Sequence, residues 1–272
     1  TPIPRTLALI LYGDLDVSII DELPPGRQPV ATYAVPGSYH PRVYAFIRKL
    51  VDQGRQAYVV CPMVDEGEDG GSDERKAVTE YTRHLQTEIF PDLRVAFVHG
   101  KMKPREKDAV MAAFAARETD ILVSTTVIEV GVDVPNAAVM VVENAERFGL
   151  SQLHQLRGRV GRGRHQSYCV LVTSTRSPEA MQRLRTLAST TDGFQIAEED
   201  LKLRGPGDFF GSRQHGLPTL RVADLVQDTR TLKVAQEEAK ALLAVDPNLA
   251  MPQHRALSDE VDHLFATACA MN

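Results

Sequence analysis

A series of short apolar runs, separated by stretches with helical periodicity, limits the folds that this chain can adopt. The runs cover residues 58–61, 93–98, 121–123, 138–142 and 168–172. Each run has the length and the continuous apolar character of a strand that is buried on both faces. Helices that return the chain between such strands produce a parallel sheet covered on both sides. The sequence therefore predicts an α/β fold with a parallel sheet and helices on both faces.

The stretches between the runs repeat their apolar side chains once per helical turn. Val43, Ile47 and Leu50 lie at this spacing, and Gly54 follows them as a helix stop. Further along the chain, Pro104 suits the first turn of another helix. These patterns predict amphipathic helices that pack against the sheet.

Changes in pattern divide the chain into three predicted parts. Residues 1–36 are rich in proline and predict a leading segment or linker, with a helix at 6–12 and strands at 17–20 and 30–35. Residues 37–175 carry the alternating pattern and predict one α/β domain. Residues 176–272 have no further strand pattern, and predict a helical extension that includes a glycine-rich segment.

Composition limits the partners and the compartment. A net charge of −5 means that any contact with nucleic acid has to rest on a local basic patch. No apolar run reaches the ~18–20 residues of a membrane span, so we expect no membrane partner. The cysteines, Cys61, Cys169 and Cys269, are far apart and odd in number. We interpret them as reduced thiols of a cytoplasmic protein rather than as metal ligands.

An arginine-rich tract at residues 152–164 supplies a local basic patch. Arg157, Arg159, Arg162 and Arg164 alternate with glycines, and no acidic residue interrupts the tract. Glycine lets the backbone approach a ligand closely, and guanidinium groups bind phosphate oxygens in a planar fork. A solvated basic loop would have the same composition, but a helix-like segment and a strand flank this tract. We therefore expect the arginines to be held in place and directed at an anion.

Polar residues follow three of the predicted strands. They are residues 99–101, 124–126 and 143–144. The carboxyl ends of parallel strands share one edge of the sheet, and ligands of such folds bind there. We therefore expect these three groups to lie along one edge.

Two segments fit motifs of the superfamily-two helicases. QLRGRVGR, at residues 155–162, fits the Q-x-x-G-R-x-G-R pattern of motif VI, and STTVIEVGVDVP, at 124–135, resembles motif V. Further segments at 2–6, 13–16, 21–27, 143–150 and 201–207 are similar to the RecG family of bacterial ATP-dependent branched-DNA helicases. The resemblance extends from residue 1 to about residue 245.

The resemblance implies the second RecA-like motor domain of a helicase, followed by a translocation motif and a C-terminal tail. ATP and Mg²⁺ would be held mainly by a first RecA-like domain, and a wedge domain would select branched DNA, both in the same polypeptide outside this chain. The sequence contains no G-x-x-x-x-G-K-[ST] P-loop. We therefore expect this chain alone not to hydrolyse ATP, and we interpret Thr1 as an internal position of a longer protein.

For the nucleotide, the resemblance implies roles in motifs V and VI. Arg159 and Arg162 would be arginine fingers, which neutralise charge on the transferred phosphoryl group and raise the rate by a factor of ~10³–10⁵. Gln155 would help to order the cleft between the two motor domains, in which ATP binds. Gly131 would permit the tight turn of motif V, and Asp133 would contact the nucleotide ribose. Salt bridges within the protein are the alternative for the arginines, and capping of the turn is the alternative for Asp133.

For DNA, the resemblance implies contacts that hold the backbone without reading sequence. Gly100 and Lys101 would contact the backbone, and Thr125 and Thr126 would offer hydroxyls and amides to a phosphate. Helix capping is the alternative role of the two threonines.

A lever is implied by residues 192–216, which resemble the translocation motif. Closure of the motor domains over ATP would move motif VI and then the helical hairpin, so that Arg204, Arg213 and Gln214 push on duplex DNA. Arg157 and Arg164 could each be a surface charge or a DNA contact.

Three functions remain open from the sequence. The first is a RecG-like helicase that regresses stalled forks and migrates Holliday junctions. The second is a translocase similar to Mfd, which couples transcription to repair and shares these motifs. The third is a non-hydrolysing DNA-binding module with a RecA-like fold. Residues 14–16 and 21–27 favour the first function, and the pair Arg159 and Arg162 argues against the third.

Overall fold

The sheet contains six parallel strands in the order β1-β6-β5-β2-β4-β3. The computed structural model describes residues 28–62, 73–125, 134–204 and 229–270. The strands are β1 (Ala31–Pro36), β2 (Gln56–Val60), β3 (Val95–Val98), β4 (Ile121–Ser124), β5 (Ala137–Val142) and β6 (Tyr168–Thr173). The predicted α/β fold is confirmed.

Helices return the chain between the strands, as the periodicity predicts. They are α1 (His40–Asp52), α2 (Asp73–His84), which a π-helical turn (Leu85–Ile89) extends, α3 (Pro104–Ala115) and α4 (Leu150–Arg157). Two more helices, α5 (Pro178–Ser189) and α6 (Gly193–Arg204), follow the last strand. After α1, Gly54 adopts φ +75, a left-handed conformation that glycine reaches without strain. None of the described helices is both long and apolar enough to cross a membrane.

The core of the sheet domain has two sides because successive strand residues point to opposite faces. On one side, Val43 and Ile47 of α1 and Val78 of α2 pack in one cluster with Val59 and Val141 of the sheet. On the other side, the ring of Tyr58 lies 4.8 Å from that of Phe114 in α3. The sheet is therefore covered on both faces.

Strand β1 comes from the proline-rich segment. It pairs in parallel with β6, from Ala31 opposite Tyr168 to Pro36 opposite Thr173. The strand predicted at 30–35 is therefore present and forms the edge of the sheet, although we predicted residues 1–36 as a linker. The elements predicted at 6–12 and 17–20 lie outside the described residues, and the division into three parts stays a prediction.

The chain divides into two compact units, with a boundary between Ile196 and Ala197. The first unit holds the sheet. The described residues of the second include α7 (Thr229–Val245) and α8 (Arg255–Ala270), joined by a turn around Asp246. The Asp246 carboxylate accepts bonds from the backbone N–H of Met251, the ring of His254 and the N–H of Ala250, and these bonds hold its pKa below its usual range.

A buried amide network joins the amino ends of β2 and β5 to the end of α3. Gln56 is 2% exposed, and its Nε2 donates to the carbonyls of Phe114 at 2.6 Å and Thr119 at 2.8 Å. Its Oε1 accepts a bond of 3.0 Å from Nδ2 of Asn136, which also donates to the carbonyl of Gly54. Because all these polar atoms are paired, the network stabilises the sheet at this end.

We expect Gln56→Leu to lower the free energy of unfolding by about 2–5 kcal/mol, because each buried polar group left unpaired costs about 1–3 kcal/mol. The matched control is Gln53→Leu, which makes the same change at an exposed position after α1. Urea denaturation of the two variants measures the difference. Equal stability of the two variants would contradict a stabilising role of the network.

Candidate functional site

Residues with polar side chains line the edge at which the parallel strands end, which we call the carboxyl edge. Cys61 follows β2, His99 follows β3, Thr125 follows β4 and Glu143 follows β5. These four strands are neighbours in the sheet. The prediction that residues 99–101, 124–126 and 143–144 share an edge is therefore confirmed for all of them except Thr126, which lies outside the described residues.

The turn after β3 presents Lys101 to solvent. His99 is 6% exposed, and its ring stacks on that of Phe97 at 6.0 Å. The Nζ of Lys107 donates to the carbonyl of Gly100 at 2.6 Å and holds the turn against the first turns of α3. Lys101 is exposed. The turn therefore offers Lys101 to an anion, whereas His99 packs within the protein.

Two hydroxyls are buried after β4. Ser124 and Thr125 are both 0% exposed, and within the described residues neither hydroxyl oxygen has a hydrogen-bond partner. The backbone N–H of Thr125 already donates to the carbonyl of Val98 at 3.3 Å. A DNA contact by Thr125 therefore requires its hydroxyl to become accessible, and this contact stays a prediction.

Glu143 is the centre of a polar network at the carboxyl edge. It is 7% exposed, and its carboxylate lies 2.9 Å from Nε2 of His40 in α1 and accepts a 2.8 Å bond from the hydroxyl of Tyr81 in α2. Nδ1 of His40 lies 2.7 Å from the carbonyl of Gly37. Burial and the Glu143 charge raise the pKa of Tyr81, so that its hydroxyl stays a donor. The network fixes both helices to the end of β5.

The glycines of the arginine-rich tract show where its loop lies. A Cβ at Gly161, which has φ +77, would lie 2.7 Å from a side-chain carbon of Val30, just before β1. A Cβ at Gly163 would overlap the carbonyl of Pro135, just before β5. The loop at 158–167 therefore lies where the strands begin, which we call the amino edge, opposite to Lys101.

The predicted finger arginines lie on this loop and at its start. Arg159 is half-buried and Arg162 is exposed, with its Nε donating to the carbonyl of Gly158 at 3.3 Å. Gln155 precedes them on α4 and is half-buried. The guanidinium of Arg162 is therefore held close to the end of α4 and is exposed to solvent, whereas Arg159 is partly covered.

Arg157 has a different environment from the arginines after it. It is 5% exposed, and its Nη1 donates to the carbonyls of Leu187 at 2.7 Å and Thr190 at 2.8 Å, at the end of α5. Burial lowers the pKa of Arg157, and the negative end of the α5 dipole compensates its charge. The prediction that Arg157 is a surface charge or a DNA contact is therefore wrong, because helix α4 turns this side chain towards α5.

His154 is the neighbour of Arg157 one helical turn earlier. Burial, together with the positive charge of Arg157, lowers the pKa of His154 from 6.5 to about 4, against an opposing contribution from Asp192. The imidazole is therefore neutral at physiological pH, and α4 carries one buried charge rather than two.

Several predicted site residues lie outside the described residues. They are Thr126, Gly131, Asp133, Arg213 and Gln214; Arg204 is the last residue of α6, but its side chain is not described. Val134 and Pro135, which follow Asp133, lie at the amino edge. Across the described part of the chain, no cluster of three or more His, Cys, Asp or Glu side chains could hold a metal ion.

Comparison with known proteins relates the chain to helicases. The helicase conserved C-terminal domain matches residues 42–164, and the family "ATP-dependent DNA helicase RecG, domain 3, C-terminal" matches residues 190–269. The ATP-dependent DNA helicase RecG of Synechocystis is 56% identical over 92% of this chain and 30% of its own length. RecG of Bacillus subtilis is 49% identical over 96% of this chain and 38% of its own length.

A solved structure, RecG bound to a three-way DNA junction, is also similar. It is 52% identical, has a TM-score of 0.68, and aligns with 86% of this chain and 30% of its own chain. The parallel sheet with helices on both faces is therefore the RecA-like fold of a helicase C-terminal domain. The chain belongs to the RecG family. It spans between 30% and 39% of the length of the first four RecG relatives.

The depressed pKa of His154 makes stability depend on pH in one window. Between pH 6.5 and about 4 the unfolded chain binds a proton that the folded chain excludes, so stability falls as pH drops through this window. We expect a loss of about 1–2 kcal/mol after solvent screening. His154→Gln should lose less over the same window than the exposed-site control His165→Gln, as measured by urea denaturation at several pH values. If the free energy of unfolding falls equally with pH in both variants, His154 does not cause the pH dependence.

The contact between Gly163 and Pro135 leaves no space for a side chain. We expect Gly163→Ala to destabilise the domain by about 1–3 kcal/mol, because the loop or the strand start has to move. At the control position Gly37, a Cβ would meet only the His40 ring at 3.8 Å, so Gly37→Ala should change stability little. Thermal unfolding compares the two, and an unaffected Gly163→Ala variant would show that the loop is not packed against Pro135.

Proposed function

We propose that this chain is the C-terminal motor half of an ATP-dependent DNA helicase or translocase that acts on branched DNA in recombination and repair. Regression of stalled forks and migration of Holliday junctions are the reactions that we assign to it. Membership of the RecG family carries this proposal. The three-way DNA junction bound by the similar RecG structure supports branched DNA as the substrate.

The arginines at the amino edge fit a nucleotide that a neighbouring domain holds. We assign Arg162 as the principal finger because its guanidinium faces solvent, and Arg159 as the second. ATP would supply the phosphoryl group, with Mg²⁺ neutralising part of its charge, and both would be held mainly by a first RecA-like domain. The two arginines would stabilise the charge that develops during transfer, and water would be excluded as the domains close.

Gln155, Gly131 and Asp133 complete the proposed nucleotide contacts. Gln155 lies on α4. The loop at 158–167, which we call the finger loop, continues from the end of this helix. Asp133 lies two residues before Pro135, whose carbonyl limits the space at Gly163. The short sequence distance from Asp133 to Pro135 supports our assignment of Asp133 to the same nucleotide as Arg159 and Arg162.

The carboxyl edge fits a DNA backbone. We assign Gly100, Lys101, Thr125 and Thr126 to contacts with one DNA strand. Exposed Lys101 supplies the charge, and the bond from Lys107 to the Gly100 carbonyl holds the turn that presents it. Such contacts position the DNA without reading its sequence.

The helices after the sheet would transmit movement. We propose that Arg204, Arg213 and Gln214 act on duplex DNA as parts of a translocation motif. The bonds from Arg157 to the last carbonyls of α5 support this coupling, because they tie the helix before the finger loop to the helix that leads towards this motif. Motion of the loop during nucleotide binding would thereby reach α5.

The partners that we propose are branched or forked DNA and two domains of the same polypeptide. A first RecA-like domain would complete the ATP site, and a wedge domain would select the branch. Residues 1–36 would lead into the motor domain and contribute its edge strand β1, residues 37–175 would form the rest of that domain, and residues 176–272 would serve as the translocation extension. We propose a cytoplasmic location, because the DNA on which this protein is proposed to act lies there.

Substitution of Arg162 in the complete polypeptide tests the proposal. We expect Arg162→Ala to lower the kcat of DNA-dependent ATP hydrolysis by about 10³-fold or more, because a finger stabilises the transition state, while binding of forked DNA is retained. The control is Arg164→Ala, which removes an exposed arginine two positions further on. Fluorescence anisotropy measures binding and phosphate release measures turnover.

Undiminished turnover of Arg162→Ala would remove this residue from the finger role. If the unsubstituted polypeptide hydrolyses no ATP with forked DNA, the alternative of a non-hydrolysing DNA-binding module replaces the helicase.

A further inference from the structure

A groove runs along the side of α5 that faces away from the domain core. It has a volume of about 670 Å³, and its lining includes Arg176, Met181, Gln182, Arg185, Thr186 and Ser189. The residues from 181 to 189 in this set recur at helical spacing, whereas the buried side of α5 carries Ala180, Leu184 and Leu187. The groove is therefore a surface of one helix face and is separate from the core.

The charge of this groove is uncompensated within the described residues. Arg176 and Arg185 are both exposed, no acidic residue lines the groove, and neither guanidinium has an acidic partner in the part of the chain that the structure describes.

Two arginines elsewhere on the surface, Arg48 and Arg94, are neutralised by a neighbouring acid. Arg48 binds Asp92 with two bonds of 2.8 Å, and Arg94 binds Asp120 in the same bidentate way. In a chain with a net charge of −5, a groove that two such unneutralised arginines line is a local positive patch, and a patch of this kind attracts anions.

The chemistry of the lining fits a phosphate backbone. The groove is lined by two guanidinium groups, by the amide of Gln182 and by the hydroxyls of Thr186 and Ser189. All of these groups can donate hydrogen bonds to phosphate oxygens. The twelve residues of α5 extend about 18 Å, which matches about five phosphates of one DNA strand. An extended polyanion fits this length better than a single phosphate group does.

The position of the groove separates it from the DNA contact at Lys101. Arg176 follows the carboxyl end of β6, whereas Lys101 follows that of β3, and β5, β2 and β4 lie between these strands. At about 4.8 Å per strand, the two positions are about 19 Å apart along the carboxyl edge. One phosphate cannot reach both.

We propose that the α5 groove is a second, sequence-independent DNA-backbone site, in which Arg176 and Arg185 bind phosphates of duplex DNA about 19 Å from the Lys101 contact. The proposal rests on the DNA-translocating function proposed above. It gives α5 a double role, because the last turn of the same helix accepts the bonds from buried Arg157. DNA in the groove would thus be attached to the helix that the finger loop moves.

The test is salt-dependent binding of a labelled blunt-ended duplex by the complete polypeptide, measured by fluorescence anisotropy. The double variant Arg176→Gln/Arg185→Gln removes two phosphate contacts. The slope of log affinity against log salt should become shallower by about 2, so that affinity is about 10²-fold weaker at about 50 mM salt. A double variant with lysine at both positions should restore the slope, because the charges return.

The matched control is Arg83→Gln/Arg117→Gln, which removes two exposed arginines outside the groove and gives the same change in net charge. Thermal midpoints show whether each variant is folded. A slope equal to that of this control, or a lysine variant that behaves like the glutamine variant, would overturn the groove as a DNA site.

Lys101→Gln separates this proposal from the function on which it rests. If Lys101→Gln makes the slope shallower and the groove variant does not, the carboxyl-edge contact stands and only the groove is refuted. If the unsubstituted polypeptide has no salt-dependent affinity for DNA, both proposals fail.

Discussion

Parallel strands impose one constraint on everything else in this domain, because the chain has to return from the carboxyl edge to the amino edge before each new strand. Every segment therefore belongs to one edge or to a return path. Strand β5 begins after Pro135, against the finger loop, and ends at Glu143, beside the polar residues of the carboxyl edge. Its six residues extend about 20 Å. This length separates the proposed nucleotide contacts from the proposed DNA contacts.

A separation of this size means that the two edges communicate through rigid elements rather than by direct contact. The bonds from Arg157 to the end of α5 provide one such connection. A buried guanidinium is costly unless its donors are paired, so this contact is difficult to break without unfolding the region around it. Helices α4 and α5 are therefore expected to move together, and a displacement of the finger loop would be transmitted along α5 to the carboxyl edge.

Much of the architecture follows from local pattern, which is why the sequence predicts it well. Apolar runs of strand length identify β2 to β6, and Gly54 identifies the end of α1, because these signals lie within a few neighbouring residues. The polar network of Glu143 has no such signal. Its partners, His40 and Tyr81, are 103 and 62 positions away in the chain, so only the packing of α1 and α2 brings them together.

In the arginine-rich tract, the sequence also fails to predict the surroundings of residues that are close together in the chain. Composition predicts that Arg157, Arg159 and Arg162 share an anionic partner, but α4 ends at Arg157, so a residue on the helix and residues beyond it face different surroundings. The sequence also does not show at which edge of the sheet the tract lies. That depends on the contacts of its loop with the residues before β1 and β5, which are distant in the chain. The rule that ligands of parallel sheets bind at the carboxyl ends of the strands fits the position of the proposed DNA contact at Lys101. It does not predict the position of the proposed finger arginines, which lie at the amino edge.

The distribution of charge follows from these surroundings. The chain has an excess of acids, yet Asp92 and Asp120 are used in bidentate pairs with Arg48 and Arg94 on the flanks. Exposed pairs of this kind add little stability, but they neutralise arginines that would otherwise attract polyanions to the wrong surfaces. Lys101 and the two arginines of the α5 groove are among the described cations that have no such acidic partner. Local pairing of part of its charge is thus compatible with an acidic protein that binds DNA at the surfaces proposed above.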